Sequence, residues 1–382
     1  MKIETVEVRV FTHTTRKSRD IDGHTHPGPA REARSALLTI TCDDGTQGFS
    51  IGHPELLRPH LLDTFIRPTL LGEDPFLREK LWLALTHWQR GSTGQLSDAT
   101  VALVEMALWD LAGRALGQPV WRLIGGFRDK VPAYGSTMCG DEIPGGLATP
   151  EDYGRFAEQL AARGYQAIKL HTWMPPVSFA PSVAMDIKAC AAVREAVGPT
   201  VPLMLDANHW YSRTEALELG RALEQLNYYW FEEMMEESST SSYRWLAEQL
   251  AIPILGPESA GGRFHTRAEW IRAGACDILR TGVHDVGGIT PSLKICHLAE
   301  SFNMDCEIHG NGIENLTVLA SMHNGRWYER GLLHPHYDYD AVPEYLNAQP
   351  DPMDADGFVH LPTRPGLGYD LNLSWIEAHT VD

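Results

Sequence analysis

Tyr228-Tyr-Trp-Phe-Glu232 is an apolar run that ends in an acid. Val201-Pro-Leu-Met-Leu-Asp206 has the same form before it, and Ile252-Pro-Ile-Leu-Gly-Pro-Glu258 has it after. Asp206, Glu232 and Glu258 follow one another at intervals of 26 residues. A βα unit of a parallel barrel takes roughly 25–40 residues, because the crossover alone needs a dozen or more. The spacing therefore predicts three successive parallel strands, each carrying one carboxylate to its C-terminal end. In a βα barrel that end is the face where chemistry is done. Upstream, Ala167-Ile-Lys-Leu-His171 is a fourth run of this kind, closed by two ionisable side chains. Residues two apart share one side of a strand, so Lys169 and His171 point the same way.

An acid after a strand often caps the next helix, and for one acid that reading is sufficient. Three at equal spacing ask for more. Converging carboxylates repel and lose hydration unless a cation sits among them. Oxygen-only ligation suits a hard ion, and Mg²⁺ is the natural choice because it keeps positions for water or substrate oxygens.

The rest of the chain fits around this stretch. At 382 residues it is about right for a barrel and a second module, and 43% hydrophobic with 21% charged residues is ordinary globular composition. A net charge of −18 argues against a nucleic-acid surface and against anionic membranes. It leaves open a small anionic substrate, since a bound cation and a few Lys or Arg set the local field. The six cysteines are scattered without a CxxC pair, so buried free thiols are expected. The N-terminus reads as a strand and not as a targeting peptide, and no apolar run approaches ~18 residues. A soluble, cytoplasmic protein is expected.

Residues 3–12 read as a strand, 14–31 as a polar loop, 35–42 as a second strand, and Asp43-Asp-Gly-Thr as a turn into a third. Residues 54–117 turn helical, with a strong 3.6-residue period in 103–116. Residues 1–128 thus form an α+β module. From Lys130-Val-Pro-Ala-Tyr134 strand and helix patterns alternate to about residue 333, through strands at 277–280 and 304–309, which argues for a parallel βα barrel over 129–333. Residues 334–382 are rich in Pro, Asp and Tyr and are expected to pack back on the N-terminal module.

With these elements placed, the chain resembles the enolase superfamily, in particular its mandelate racemase group. The resemblance rests on Leu205-Asp-Ala-Asn208, Trp230-Phe-Glu-Glu233 and Gly256-Pro-Glu258, with support from Ala107-Leu-Trp-Asp-Leu-Ala-Gly-Arg114 and Pro365-Gly-Leu-Gly-Tyr369. It implies an α/β fold: a modified (β/α)7β TIM-like barrel with an N-terminal α+β capping domain completed by the C-terminal tail. It implies Asp206, Glu232 and Glu258 as Mg²⁺ ligands and a small-molecule carboxylate substrate. It also implies a homo-oligomer, often of even number in this group. Members remove the proton alpha to the substrate carboxylate, and a preorganised cation meets the charge that builds on its oxygens.

The family usually carries Lys-x-Lys where this chain has Lys169-Leu-His171. His171 is then the expected base, its ordinary pKa being near neutrality, with Lys169 as a weaker candidate or a helper to the ion. His309 matches the family's acid–base histidine. The aspartate that should pair with it falls near Thr281, so an intact dyad is not expected. Arg280-Thr281 followed by His284 is similar to some acid-sugar dehydratases of the superfamily, in which the histidine matching His309 would protonate a departing hydroxyl. Glu329 matches a glutamate near the substrate carboxylate, and burial among acids is expected to raise its pKa; Glu314 competes for that role. Asn208, His209, Trp173, Arg280 and His284 are expected to touch substrate. So are Arg19, His24 and His26 of the capping-domain loop, although for any one of them alone a solvated side chain is the better reading. The activity implied is an Mg²⁺-dependent dehydration of an aldonate or aldarate to a 2-keto-3-deoxy acid. The alternatives are an epimerase, racemase or sugar-lactone cycloisomerase on the same enediolate, and a non-catalytic relative.

Overall fold

The computed structural model describes residues 1–20 and 23–381. The chain opens with a three-stranded antiparallel sheet in the order β1 (Ile3–Arg19), β2 (Thr25–Cys42), β3 (Gln47–Gly52). The ladder runs on through the stretch expected to be a loop: Thr14 pairs with Glu32, Thr15 with Arg31, Lys17 with Pro27 and Arg19 with Thr25. The polar sequence was a poor guide because both faces of this outer hairpin lack a core to match. Backbone pairing does not need apolar alternation there. Residues 21 and 22, also part of that expectation, lie outside the described residues.

Two helices back the sheet, α1 (Arg78–Gly91) and α2 (Asp98–Ala115), the second capped by the Ser97 side chain on Thr100 N. Every residue of α2 from Thr100 to Gly113 is buried, as the apolar period of that stretch demands. Gly48 lets the sheet lie on this helix, since a Cβ there would stand 2.2 Å from the Ala107 carbonyl. Asp110 of α2 accepts from Phe49 N at 3.0 Å and from Leu367 N at 2.7 Å, so one buried carboxylate joins sheet, helix and C-terminal tail.

Eight parallel strands follow with seven helices between them: β4 (Lys130–Thr137), α3 (Pro150–Ala162), β5 (Ala167–His171), α4 (Val183–Val197), β6 (Leu203–Asp206), α5 (Arg213–Gln225), β7 (Trp230–Glu232), α6 (Thr240–Ala247), β8 (Ile254–Leu255), α7 (Arg263–Ala273), β9 (Leu279–Thr281), α8 (Ile289–Ser301), β10 (Cys306–Ile308), α9 (Ile313–Ser321) and β11 (Tyr328–Leu333). Ladders run β11-β4-β5-β6-β7-β8 and β9-β10. A single bridge, Leu255 to Ile278, joins β8 to β9. The seam between β10 and β11 is tied by side chains: Glu307 accepts from Arg326 N and Trp327 N at 3.0 Å, and Glu329 accepts from Gly310 N at 2.8 Å.

The tail lies on both layers. A strand, β12 (Phe358–His360), pairs antiparallel with the outer end of β4, and a last helix, α10 (Leu373–Ala378), buries Ile376 against Phe11, Leu37 and Phe49 of the first sheet. The six cysteines are all free and buried. Among the described residues no helix is long and apolar enough to cross a membrane.

Candidate active site

The ends of the central strands define the site. Asp206 closes β6 and is in register with Glu232, which closes β7; Glu258 stands three residues past β8. None of the three caps a helix. Ser212 caps α5 in a reciprocal box with Glu215, and α6 and α7 start without a side-chain cap. Glu237 holds the Glu258 loop by accepting from Glu258 N at 2.7 Å and Ala260 N at 2.9 Å. Sequence reading missed Glu237, which follows no strand and carries no signal beyond being an acid.

Two fully buried cations lie against these acids. Lys169 Nζ is ion-paired with Glu232, 3.3 Å from Asp206 and 3.0 Å from Glu329. Arg280 is wholly buried and reaches Glu329 at 2.9 Å, Glu258 at 3.2 Å and Glu232 at 3.5 Å. It also donates to the Ile308 carbonyl at 3.2 Å. The expectation that Arg280 touches substrate is therefore corrected: it sits behind the carboxylates, and its donors are engaged within the barrel. Lys169 likewise stays out of the cavity; burial alone would lower its pKa, but Glu232 and Glu329 hold it well above the usual value.

Glu329 reverses another expectation. Burial pushes it up, but Lys169, Arg280 and His309 together hold it well below the usual carboxylate range. It is an anion here, where a raised pKa was expected, because its neighbours are cations as much as acids.

His171 and His309 flank the acids. His171 Nδ1 lies 2.7 Å from the Thr137 carbonyl, which can only accept, so the proton is assigned to Nδ1. Nε2 then faces the cavity, 2.9 Å from Asp206 Oδ2. On the other side, His309 Nε2 is 3.1 Å from Glu258 and its Nδ1 is 2.7 Å from Asp285. The dyad expected to be broken is thus intact. Asp285, four residues after Thr281, supplies the carboxylate, since the Gly282–Asp285 turn brings it back over the strand end. Burial would lower the His309 pKa, but Glu258 and Asp285 raise it to about 10, so it is an imidazolium at neutral pH.

A cavity of about 1440 Å³ separates the barrel mouth from the first sheet, lined on the barrel side by His171, Asp206, Asn208, Glu258, His284 and His309 among others. His209 also lines it and pairs with Glu233 at 2.9 Å; burial lowers its pKa, but Glu233 raises it to about 10. Asn208 and His209 adopt left-handed backbone, φ 48° and 67°, which turns the chain sharply after β6. His284 is 3.1 Å from Glu314, whose other oxygen accepts from Tyr369 OH at 2.6 Å. Glu314 therefore orients His284 and is no rival to Glu329. At the hairpin tip Asp20 holds His24 at 3.1 Å and His26 at 2.9 Å; His24 and Arg19 line the cavity. Trp173 does not. It is fully buried beneath the mouth, donates to the Leu147 carbonyl at 2.9 Å and packs edge-on to Tyr153 at 5.0 Å, because the chain turns inward after His171.

The site fits a divalent cation by its donors. Glu232 Oε2 is buried without a hydrogen-bond partner, and burial together with repulsion from Asp206 and Glu258 pushes this carboxyl up to about 7. Asp206, Glu232, Glu258 and Glu329 outnumber the permanent cations Lys169 and Arg280 that they face. Among the described residues no three His, Cys, Asp or Glu side chains stand close enough together to share one ion, and the carboxylates pair with Lys169 and Arg280.

A barrel with acids at the ends of its third, fourth and fifth strands, a histidine on either side of them, and a sheet-and-helix cap over the mouth defines an enolase-type enzyme. The chain belongs to the mandelate racemase/muconate lactonizing enzyme family: its N-terminal domain matches over residues 6–125, and the enolase C-terminal domain-like region matches over 152–375. The chain is 32% identical over 332 residues to an arabinonate dehydratase from Saccharolobus solfataricus, covering 83% of this chain and 82% of the relative. It is 31% identical over 354 residues to a D-galactarolactone cycloisomerase from Agrobacterium fabrum, covering 88% of each. A solved structure of D-glucarate dehydratase from Agrobacterium tumefaciens complexed with magnesium matches with a TM-score of 0.99 and 63% identity, covering 100% of both chains.

Proposed function

We propose that this protein is a Mg²⁺-dependent acid-sugar dehydratase, a hydro-lyase that converts an aldonate or aldarate to a 2-keto-3-deoxy acid. The observation that carries the reading is the pair of histidines on either side of one carboxylate cluster. His171 Nε2 lies 2.9 Å from Asp206 and His309 Nε2 3.1 Å from Glu258. The relatives named as dehydratases, one of them bound to magnesium, support it. Asp206, Glu232 and Glu258 would hold the ion, which when bound supplies the electrophile that meets charge growing on the substrate carboxylate.

His171 Nε2 takes the proton from C2, and Thr137 keeps the ring in the tautomer that can do so. Lys169, ion-paired with Glu232 and 3.0 Å from Glu329, is the less favoured base and adds positive charge beneath the enediolate. His309 Nε2 then gives its proton to the C3 hydroxyl, which leaves as water as the C2–C3 double bond forms. Asp285 orients His309 and stabilises its charged form. The enol left at C2 tautomerises to the ketone. His284, His209 and Asn208 line the path of the sugar hydroxyls, with Arg19 and His24 opposite them and His26 behind, held by Asp20.

The test is to incubate purified protein and Mg²⁺ with acid sugars and read 2-keto acid with semicarbazide. D-glucarate, galactarate, D-gluconate and D-galactonate make the first panel. Keto acid from any of them supports dehydration. C2 exchange in D₂O without keto acid would replace it with epimerisation or cycloisomerisation, the second reading that the cycloisomerase relative keeps in view. We also place the domain divisions near residues 128 and 333, an even-numbered assembly in solution, and the protein in the cytoplasm; sedimentation and cell fractionation test the last two.

A further inference from the structure

The cavity has a floor and a roof of opposite sign. The floor is the carboxylate cluster. The roof is one face of the β1–β2 hairpin. Thr15, Lys17 and Arg19 line the cavity while Arg16 and Ser18 do not, which is the period of two expected of a strand. Arg31, in register with Thr15, and Arg34 join them from β2. No described carboxylate lies within ion-pair distance of Lys17, Arg19, Arg31 or Arg34, in a chain of net charge −18.

Lys17 is the informative one. Exposed arginines can rest in water, but Lys17 is partly buried, with its ammonium 4.9 Å from the centre of the Tyr337 ring. Burial and Arg19 press its pKa down, and the Asp351 carboxylate pulls it up. A partly buried ammonium beside other cations gains from a further anion. The cavity it faces admits that anion from the substrate side.

Its place in the circle of strands matters. The metal-type carboxylates close β6, β7 and β8. Tyr337 stands four residues past the end of β11, and β11 is four strands from β7 along β7-β6-β5-β4-β11. In an eight-stranded ring that is the opposite wall. A substrate whose first carboxylate meets the ion over β6–β8 therefore directs its far end toward Lys17.

We propose that Lys17, flanked by Arg19 and Arg31, forms a subsite for the second carboxylate of a dicarboxylic acid sugar, so that the enzyme takes aldarates in preference to aldonates. This rests on the acid-sugar reading above and narrows it to a substrate class. The acids of the roof are engaged at its edges, Glu55 with Arg58 at 3.7 Å and Asp20 with His24 and His26 at the hairpin tip.

The experiment compares pairs that differ only at C6, D-glucarate with D-gluconate and galactarate with D-galactonate, on the Mg²⁺-loaded full chain. Both kcat/KM and ligand-induced shifts of the unfolding temperature are measured. The diacid of each pair is expected to be favoured by about tenfold or more, the size of one charge-assisted contact. Lys17→Met is expected to erode that ratio about tenfold, mainly through KM, and Lys17→Arg to retain most of it. Arg19→Gln and Arg31→Gln, both on exposed strand positions, provide smaller losses should Lys17→Met fold poorly. Equal use of both members of a pair, no diacid binding, or an unchanged ratio in Lys17→Met overturns the proposal. Diacid-selective binding without keto acid would uphold the subsite and sink the dehydratase reading.

Discussion

The floor and the roof of the cavity solve the same problem, recognition of an anion, in opposite ways. On the floor, charges are buried, mutually paired and placed by strand ends whose backbone cannot shift without breaking the barrel. On the roof, like charges stand on a hairpin with water on one side and few internal partners. Buried charges in low dielectric interact strongly and tolerate no missing partner, whereas exposed ones are screened and replaceable. The floor is therefore suited to invariant chemistry and the roof to adjustable selection.

That contrast can be broken most severely at the floor. His171→Asn is expected to lower turnover by about 10²–10⁴, the usual contribution of a general base, and to abolish C2 exchange in D₂O. Turnover preserved in that variant would return the base role to Lys169. Arg280→Met removes one buried partner from Glu329, Glu258 and Glu232 at once, a change of the kind that costs about 3–5 kcal/mol. Urea unfolding would register it. Removing one permanent cation also makes the cluster more negative, so Tb³⁺ should gain on Mg²⁺ by about tenfold or more in competition binding.

A milder change separates the two histidines. Asp285→Asn removes one of the charges that hold the His309 pKa near 10. The acid form of His309 is lost as pH rises through its pKa, so the descending limb of the pH–rate profile should move to lower pH while C2 exchange persists. The sign for stability is the same. A raised histidine pKa contributes stability that is complete below the ordinary value of 6.5 and lost as pH rises toward 10, and Asp285→Asn should flatten that dependence. The smallest effect is expected at Trp173→Phe. Losing the bond to the Leu147 carbonyl should cost about 1 kcal/mol of stability and leave kcat/KM unaltered, because the indole lies outside the cavity.

Reading order along the chain explains which parts were legible. The strand ends were, because Asp206, Glu232 and Glu258 follow apolar runs at a spacing that only a repeated βα unit makes natural. The outer half of the hairpin was not, because residues 14–19 and 25–31 pair through their backbones while their side chains meet no core. Asp285 was hidden for another reason. Its partner His309 is 24 residues away, and the Gly282–Asp285 turn that brings them together leaves no period in the sequence. Glu329 could be placed but its charge state could not, since that depends on Lys169 and Arg280 arriving from two other strands.

The sequence by itself determined the barrel, the cap, the acids at the strand ends, the shared direction of Lys169 and His171, and the burial of six free thiols. These follow from local periodicity, because side-chain direction along a strand alternates whatever lies around it. Only the tertiary structure decided that Arg280 lies behind the site, that Trp173 faces the core, that Asp285 completes the histidine pair, and that Lys17 waits across the mouth from the carboxylates. These are distances through space between residues far apart in the chain, and the energy of a charge depends on such distances and on how much water is left between them.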